Sequence, residues 1–205
     1  MYKTNSPLGE SRKSHASQIG AFAVEFALVV LAFFTLLFGV IELARLVYLW
    51  NTLQEVTRNA ARAAAYTDFR DSAAKDVLRQ HAIFRTSAGK LVLGDPVTDG
   101  HVRIDYMALV RSSDGTLTMT PIPDAALPSC ATRNRVTCTA DPSNASCIRF
   151  VRVRICEPGG GSNCDPVPYA PLIPLIRFSS LTLPTSTTIV QAETLGYKAG
   201  QSLCP

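Results

Sequence analysis

The chain has 205 residues, of which 47% are hydrophobic, and a formal net charge of +4. Its Lys and Arg residues are scattered, with no basic stripe interleaved with aromatics, which argues against a nucleic-acid-binding protein. The part of the chain beyond the first helical stretch suffices for one small domain and is thin enough to profit from covalent staples.

Residues 1–20, MYKTNSPLGESRKSHASQIG, are polar and lack periodicity, and they carry Lys3, Arg12 and Lys13 against Glu10. They read as a flexible leader whose positive excess beside a membrane segment keeps it in the cytoplasm and sends the bulk of the chain outside.

Gly20 to Ile41 follows as 22 residues of almost unbroken apolar character. At about 1.5 Å rise each, a helix of this length reaches roughly 33 Å, enough to span a bilayer. The uncharged stretch from Phe26 to Ile41 is only 16 residues, so spanning needs Glu25 and Glu42 to lie near opposite interfaces or to be neutralised by neighbours. A carboxylate at the start of a membrane helix is costly, and its presence asks for a partner or a purpose. A secretory signal is the rival reading, but its short apolar region would end in a small-residue cleavage site, and none with a break follows here. Gly39 inside the helix is a candidate close-packing position, although it lacks the small partner four residues away that the helix-pairing pattern uses.

Beyond Ile41 the apolar residues continue as Leu43, Leu46, Val47, Leu49, Trp50, Leu53, Val56, Ala60, Ala61 and Ala64, close to steps of three and four. Glu42, Arg45, Gln54, Glu55 and Arg58 fall largely between them, the pattern of an amphipathic helix. No proline interrupts it, so one helix runs from about Ala21 to Tyr66. Glu42 and Arg45, three apart, read as a surface ion pair near the outer boundary.

Asp71-Ser72 caps a second helix from Ala73 to about Arg85, with Ala74, Val77, Leu78, Ala82 and Phe84 along one side. Short β-rich runs follow at Lys90–Leu93, His101–Arg111 and Thr116–Thr120, the last two joined by Asp114-Gly115, a hairpin signal. Pro121 to Ser146 is rich in Pro, Ser, Thr, Asn and Asp and reads as a loop. Cys147 to Cys156 is the clearest strand, although Arg149 leaves its alternation imperfect: Val151, Val153 and Ile155 share one face, and Arg152 and Arg154 share the other with Ile148 and Phe150. Glu157–Asn163 is a turn-rich excursion. Val167–Ile176 has too many prolines for a central strand or a helix, and Thr182–Glu193 is the last strand. The fold class is α+β, a long N-terminal transmembrane and amphipathic helix followed by a small exported domain with a short helix and an antiparallel sheet. The division is 1–20 leader, 21–66 helix and 67–205 exported domain.

All six cysteines, Cys130, Cys138, Cys147, Cys156, Cys164 and Cys204, lie beyond the membrane helix. An even number on the exported side points to disulfides in an oxidising compartment. Zinc sites bring ligands in close pairs, whereas the first five cysteines are separated by 7, 8, 8 and 7 residues with no His among them. No metal or other cofactor is expected. Six cysteines allow 15 pairings, and the sequence does not choose among them.

The chain shows no catalytic signature. His15 is in the leader, His81 on the second helix and His101 at a strand start, without HExxH, G-x-S-x-G or a phosphate loop. Only an ordered cluster of His101 with acidic and hydroxyl groups in a cleft would favour an enzyme. Asn144-Ala145-Ser146 fits a glycosylation acceptor, a short pattern that recurs by chance.

The segments Gly20-Ala21-Phe22-Ala23-Val24-Glu25-Phe26, Phe38-Gly39-Val40-Ile41-Glu42-Leu43-Ala44-Arg45-Leu46 and Asn59-Ala60-Ala61-Arg62-Ala63-Ala64-Ala65-Tyr66 closely resemble TadE-like minor pseudopilins of the tight-adherence (Flp, type IV) pilus system. The prolines of Pro168–Ile176, followed by Leu181-Thr182-Leu183 and Ile189–Glu193, look like the closing segment of such proteins. The middle, residues 68–166, matches only in character. The resemblance implies a pilin-like protein, not an enzyme, cut between Gly20 and Ala21 by a membrane prepilin peptidase. Glu25 would then be the fifth residue of the mature chain, paired with the new terminal ammonium of a neighbouring subunit. It further implies a single pass of the bacterial inner membrane with the C-terminal domain outside. The partners implied are the peptidase, other pilins or pseudopilins and the inner-membrane assembly platform, with a role in pilus assembly or initiation and hence surface adhesion. An uncleaved, membrane-anchored envelope binding module is the alternative.

Overall fold

The computed structural model describes residues 16–159, 163–172, 181–200, 202 and 204. Most of the leader, the three residues at 160–162 and residues 173–180 of the proline-rich stretch lie outside these. The element order is α1 (Ala16–Tyr66), α2 (Ser72–Ala82), β1 (Val102–Arg111), β2 (Leu117–Pro121), α3 (Ala131–Ala140), β3 (Phe150–Ile155) and β4 (Thr187–Gln191), with single 3-10 turns at Asp99–His101 and Asp124–Ala126. The architecture is α+β, a long apolar helix and a small domain with a four-stranded antiparallel sheet. The molecule divides into two compact units, Met1–Leu43 and Ala44–Pro205, and the boundary falls inside α1.

In the first unit α1 is apolar on every side, and Phe22, Phe26, Val29, Leu31, Phe33 and Leu36 are all exposed. A helix that is apolar all round needs an apolar surrounding, which a bilayer supplies. The helix starts at Ala16, five residues ahead of the expected Ala21. Ala16 to Ile19 contain no proline or glycine, so nothing in them opposes extending the helix backward.

The second unit is built on the rest of α1. Leu49, Leu53, Val56, Ala60, Ala61 and Ala64 form a buried stripe. They belong to one apolar cluster with Val102, Tyr106 and Ala108 of β1 and Val151, Val153 and Ile155 of β3. The alternation expected for Val151, Val153 and Ile155 is the observed buried face of β3. The strand order is β2-β1-β3-β4, with every neighbouring pair antiparallel. Polar bonds set the helix against the sheet edge: the buried Thr57 hydroxyl lies 2.9 Å from Thr188 Oγ1 of β4 and 3.1 Å from Ser186 Oγ. Tightly packed alanines at positions 60, 61 and 64 let the backbone of α1 approach closely.

The β1–β2 hairpin turns at Asp114-Gly115 as expected, with Gly115 at φ +86° and its amide donating to the Ser112 carbonyl. Helix α2 is capped by Asp71, whose carboxylate accepts from Ala74 N at 3.0 Å. It ends at Ala82 rather than Arg85, because Phe84 takes a left-handed conformation and points outward.

Two expectations are corrected. Lys90–Leu93 is not a strand: Leu91 N donates to Val97 O, Gly94 N to Leu91 O and Val97 N to Gly94 O. The Gly94-Asp95-Pro96 turn thus spends these backbone groups locally, and only the Lys90–Thr98 bridge remains. Pro121–Ser146 is not a bare loop, for it contains α3. Residues 129–141, between Pro128 and Pro142, hold neither proline nor glycine. The buried Asn134 side chain fastens α3 to the sheet by accepting from Ile148 N at 2.8 Å and donating to Ile148 O at 3.3 Å.

The cysteines pair as Cys130–Cys204, Cys138–Cys147 and Cys156–Cys164. The last two close loops of 9 and 8 residues at the two ends of β3, while the first spans 74 and holds the C-terminus to the start of α3.

After β4 the chain returns to α1. The amides of Glu193 and Leu195 donate to the Ala65 carbonyl and that of Gly196 to the Tyr66 carbonyl, satisfying groups the helix end leaves open. Gly196 sits at φ +82°, and a Cβ there would lie 2.7 Å from the Asp68 Cα. Gly196→Ala therefore combines backbone strain with a backbone clash and is expected to cost at least about 2 kcal/mol. Asp71→Ala, which removes one cap, costs about 1 kcal/mol. Denaturant unfolding followed through Trp50, the single tryptophan, measures both.

Candidate functional site

Gly20, Ala21 and Glu25 lie in the exposed apolar part of α1. Ala21 and Glu25 are four residues apart, so their side chains stand on the same helix face. Among the described residues no ion pair involves Glu25, and the side chains three and four positions along, Leu28 and Val29, are apolar and exposed. A Cβ placed on Gly20 or Gly39 would meet nothing within 4 Å, so both leave open surface on the helix.

The first turns of α1 in the second unit hold a feature the sequence reading missed. Arg45, expected at the surface beside Glu42, is buried at 8% exposure, and Glu42 is buried as well. Arg45 Nε donates to Leu93 O at 2.9 Å, Nη2 to Asp95 O at 3.0 Å and Nη1 to Ala170 O at 2.6 Å. The guanidinium also lies 5.4 Å from the centre of the Tyr169 ring. Tyr48 Oη adds a bond to Val92 O at 3.2 Å. One planar fork thus fastens two loops, 91–95 and 169–170, to the helix, a task for which a guanidinium is shaped and an ammonium is not. The signal was present: Arg45 is four residues before Leu49 and eight before Leu53, in register with the buried stripe.

A second charged cluster lies on the outer face of the sheet. The Asp105 carboxylate accepts from Arg103 Nε at 3.0 Å, from Arg152 Nη2 at 3.0 Å and from Arg154 Nη2 at 2.7 Å. The register places Asp105 opposite Arg152 and Arg103 opposite Arg154. Burial pushes the Asp105 carboxyl up, but the three guanidiniums outweigh it and hold it below its ordinary 3.8. The adjoining cleft, about 410 Å³, is also lined by Tyr106 and Asp124. The buried Tyr106 hydroxyl has no hydrogen-bond partner among the described residues, and burial raises its pKa above the usual phenol value.

His101 is used as a cap. Its Nδ1 accepts from Thr98 N at 3.0 Å and lies 2.9 Å from Thr98 Oγ1, while Nε2 is 3.7 Å from Glu157 Oε2. Acceptance of a backbone N–H at Nδ1 puts the proton of the neutral ring on Nε2. The hydroxyl and the carboxylate flank a ring that is itself buried and closes a 3-10 turn. This arrangement gives no positive sign of catalysis. No group of three or more His, Cys, Asp or Glu side chains suited to a metal occurs among the described residues.

Two outcomes follow for stability. Arg45→Met leaves the carbonyls of Leu93, Asp95 and Ala170 without this donor and is expected to cost about 3 kcal/mol, with Arg45→Lys recovering only part, by the same unfolding measurement. Burial lowers the His101 pKa below 6.5 against the opposing pull of Glu157, so the unfolded state binds the proton more readily. Stability should therefore be level above pH 6.5 and fall as pH drops below it. A second loss should follow as pH falls below 3.8, from Asp105. Unfolding midpoints measured against pH, with His101→Asn expected to flatten the first slope alone, check both.

Residues 20–62 match the family model described as TadE-like protein. No curated protein and no solved structure matches the chain significantly. The matched residues run from Gly20 through the exposed apolar turns and Arg45 to the buried stripe at Ala60 and Ala61. Over this segment the chain is similar to TadE-like proteins, which belong to the tight-adherence pilus system.

Proposed function

We propose that the chain is a minor pseudopilin, cut between Gly20 and Ala21 by a prepilin peptidase and needed to assemble or initiate a tight-adherence pilus. The observation that carries this reading is the family match beginning at Gly20, with Glu25 five residues later on a helix apolar all round. In this reading residues 1–20 are the leader, 21–66 the anchor and stalk, and 67–205 the exported head. The leader faces the cytoplasm, α1 crosses the inner membrane once, and the head lies outside.

The mechanism is electrostatic. Cleavage creates an ammonium at Ala21, and a carboxylate and an ammonium in lipid are each costly alone. Pairing Glu25 of one subunit with the terminal ammonium of the next offsets both costs and sets the axial register of the assembly. Until that partner arrives, the apolar helix holds the subunit in the bilayer. Other pilins and the membrane assembly platform are the partners this arrangement needs.

The mass of the N-terminus in cells tests the cut. With an active prepilin peptidase the mature chain begins at Ala21, whereas an intact Met1 contradicts processing and favours an uncleaved anchored module. Glu25→Ala is expected to leave cleavage intact and reduce surface pili at least tenfold. Normal pilus levels in that variant would remove the role given to the carboxylate.

A further inference from the structure

The head carries an apolar collar around the turn of α1 that contains Arg45. Val92 is 56% exposed, Leu93 64% and Leu172 57%, and on the helix itself Val47 is 51% exposed and Tyr48 39%. The collar is built. Arg45 Nε holds Leu93 O, Tyr48 Oη holds Val92 O and Arg45 Nη1 holds Ala170 O, two residues before Leu172. Leu93 is kept in a left-handed conformation, φ +54°, an unfavourable geometry for a branched side chain, within the turn that carries Val92 and Leu93. Side chains this apolar on a loop tip are otherwise a liability in water.

The place of the collar in the chain identifies what it meets. Arg45 is only four positions beyond Ile41, the last of the apolar run. Four residues of helix rise about 6 Å, and four residues of any conformation reach no more than about 14 Å. The polar layer on each side of the hydrocarbon is about 5 to 7 Å deep. We infer that the collar of Val47, Tyr48, Val92, Leu93 and Leu172 is a lipid-docking surface that seats the head in the outer interface of the same bilayer that α1 crosses. Tyr48 has the ring and hydroxyl that suit this layer, and the adjacent Lys90–Asp95 ion pair, 2.7 Å apart and exposed, keeps charge at the rim. The inference rests on reading residues 20–41 as the membrane anchor and adds a second contact between head and lipid, made by two loops far from the anchor in sequence. Seating by two loops restricts tilt and rotation of the head as a single helix would not.

Tryptophan probes in the full-length chain test this, in a Trp50→Phe background reconstituted into phosphatidylcholine vesicles with brominated acyl chains. Leu93→Trp and Leu172→Trp report on the collar, Leu31→Trp on the anchor and Leu117→Trp on the far end of the sheet. Both collar probes are expected to shift to the blue and lose at least half their emission to the bromines, with Leu117→Trp unaffected. Two collar positions guard against one substitution disturbing its loop. Quenching of Leu31→Trp with both collar probes unquenched overturns the inference while the anchor stands, and leaves the collar to a neighbouring protein copy. Failure of Leu31→Trp to be quenched overturns the anchor reading and the inference with it.

Discussion

The structure depends on one shared element: the stripe of Leu49, Leu53, Val56, Ala60, Ala61 and Ala64 on α1, buried in one cluster with the inner face of the sheet. A four-stranded sheet with one apolar face needs a cover. Here the cover is the continuation of the helix that, some ten residues earlier, is apolar on every side. The sheet is therefore packed directly on the later turns of α1 rather than joined to them by a linker.

The remaining parts complete that arrangement from its periphery. Arg45 fastens loops 91–95 and 169–170 to α1, Thr57 sets the helix against β4, and the return of the chain through Gly196 closes the last carbonyls of α1. The three disulfides lie at both ends of β3 and between the start of α3 and Cys204. A small core packed on a single helix stabilises what it covers, and cross-links hold the loops it does not reach.

Much of this was legible because local chemistry and the global fold agree. The amphipathic steps after Ile41, the Asp71 cap, the Asp114-Gly115 turn and the alternation in β3 each carry their own signal. What was not legible depends on contacts distant in sequence. Helix α3 is polar and nearly without amphipathic pattern, and its place is set by the buried Asn134 amide on Ile148. By sequence Arg45 reads as surface because charge on a helix usually is; the loops that bind it come from residues 91–95 and 169–170, which no helical period reveals. The Asp105 cluster needed the β1–β3 register, and the cysteine pairing needed the whole fold. Of the proposed processing site, only the residue pattern at Gly20, Ala21 and Glu25 was available in sequence. The structure adds that all three stand exposed on one continuous helix.

The most direct test of the shared-element account is native-state hydrogen exchange on the full-length protein, comparing amides of Leu49–Ala64 with those of β1 and β3. A helix segment that is the core of the head exchanges only when the sheet does, with the same opening free energy and the same response to denaturant. Early exchange of Leu49–Ala64 while β1 and β3 remain protected would show a head that stands without its stalk, and would contradict the account.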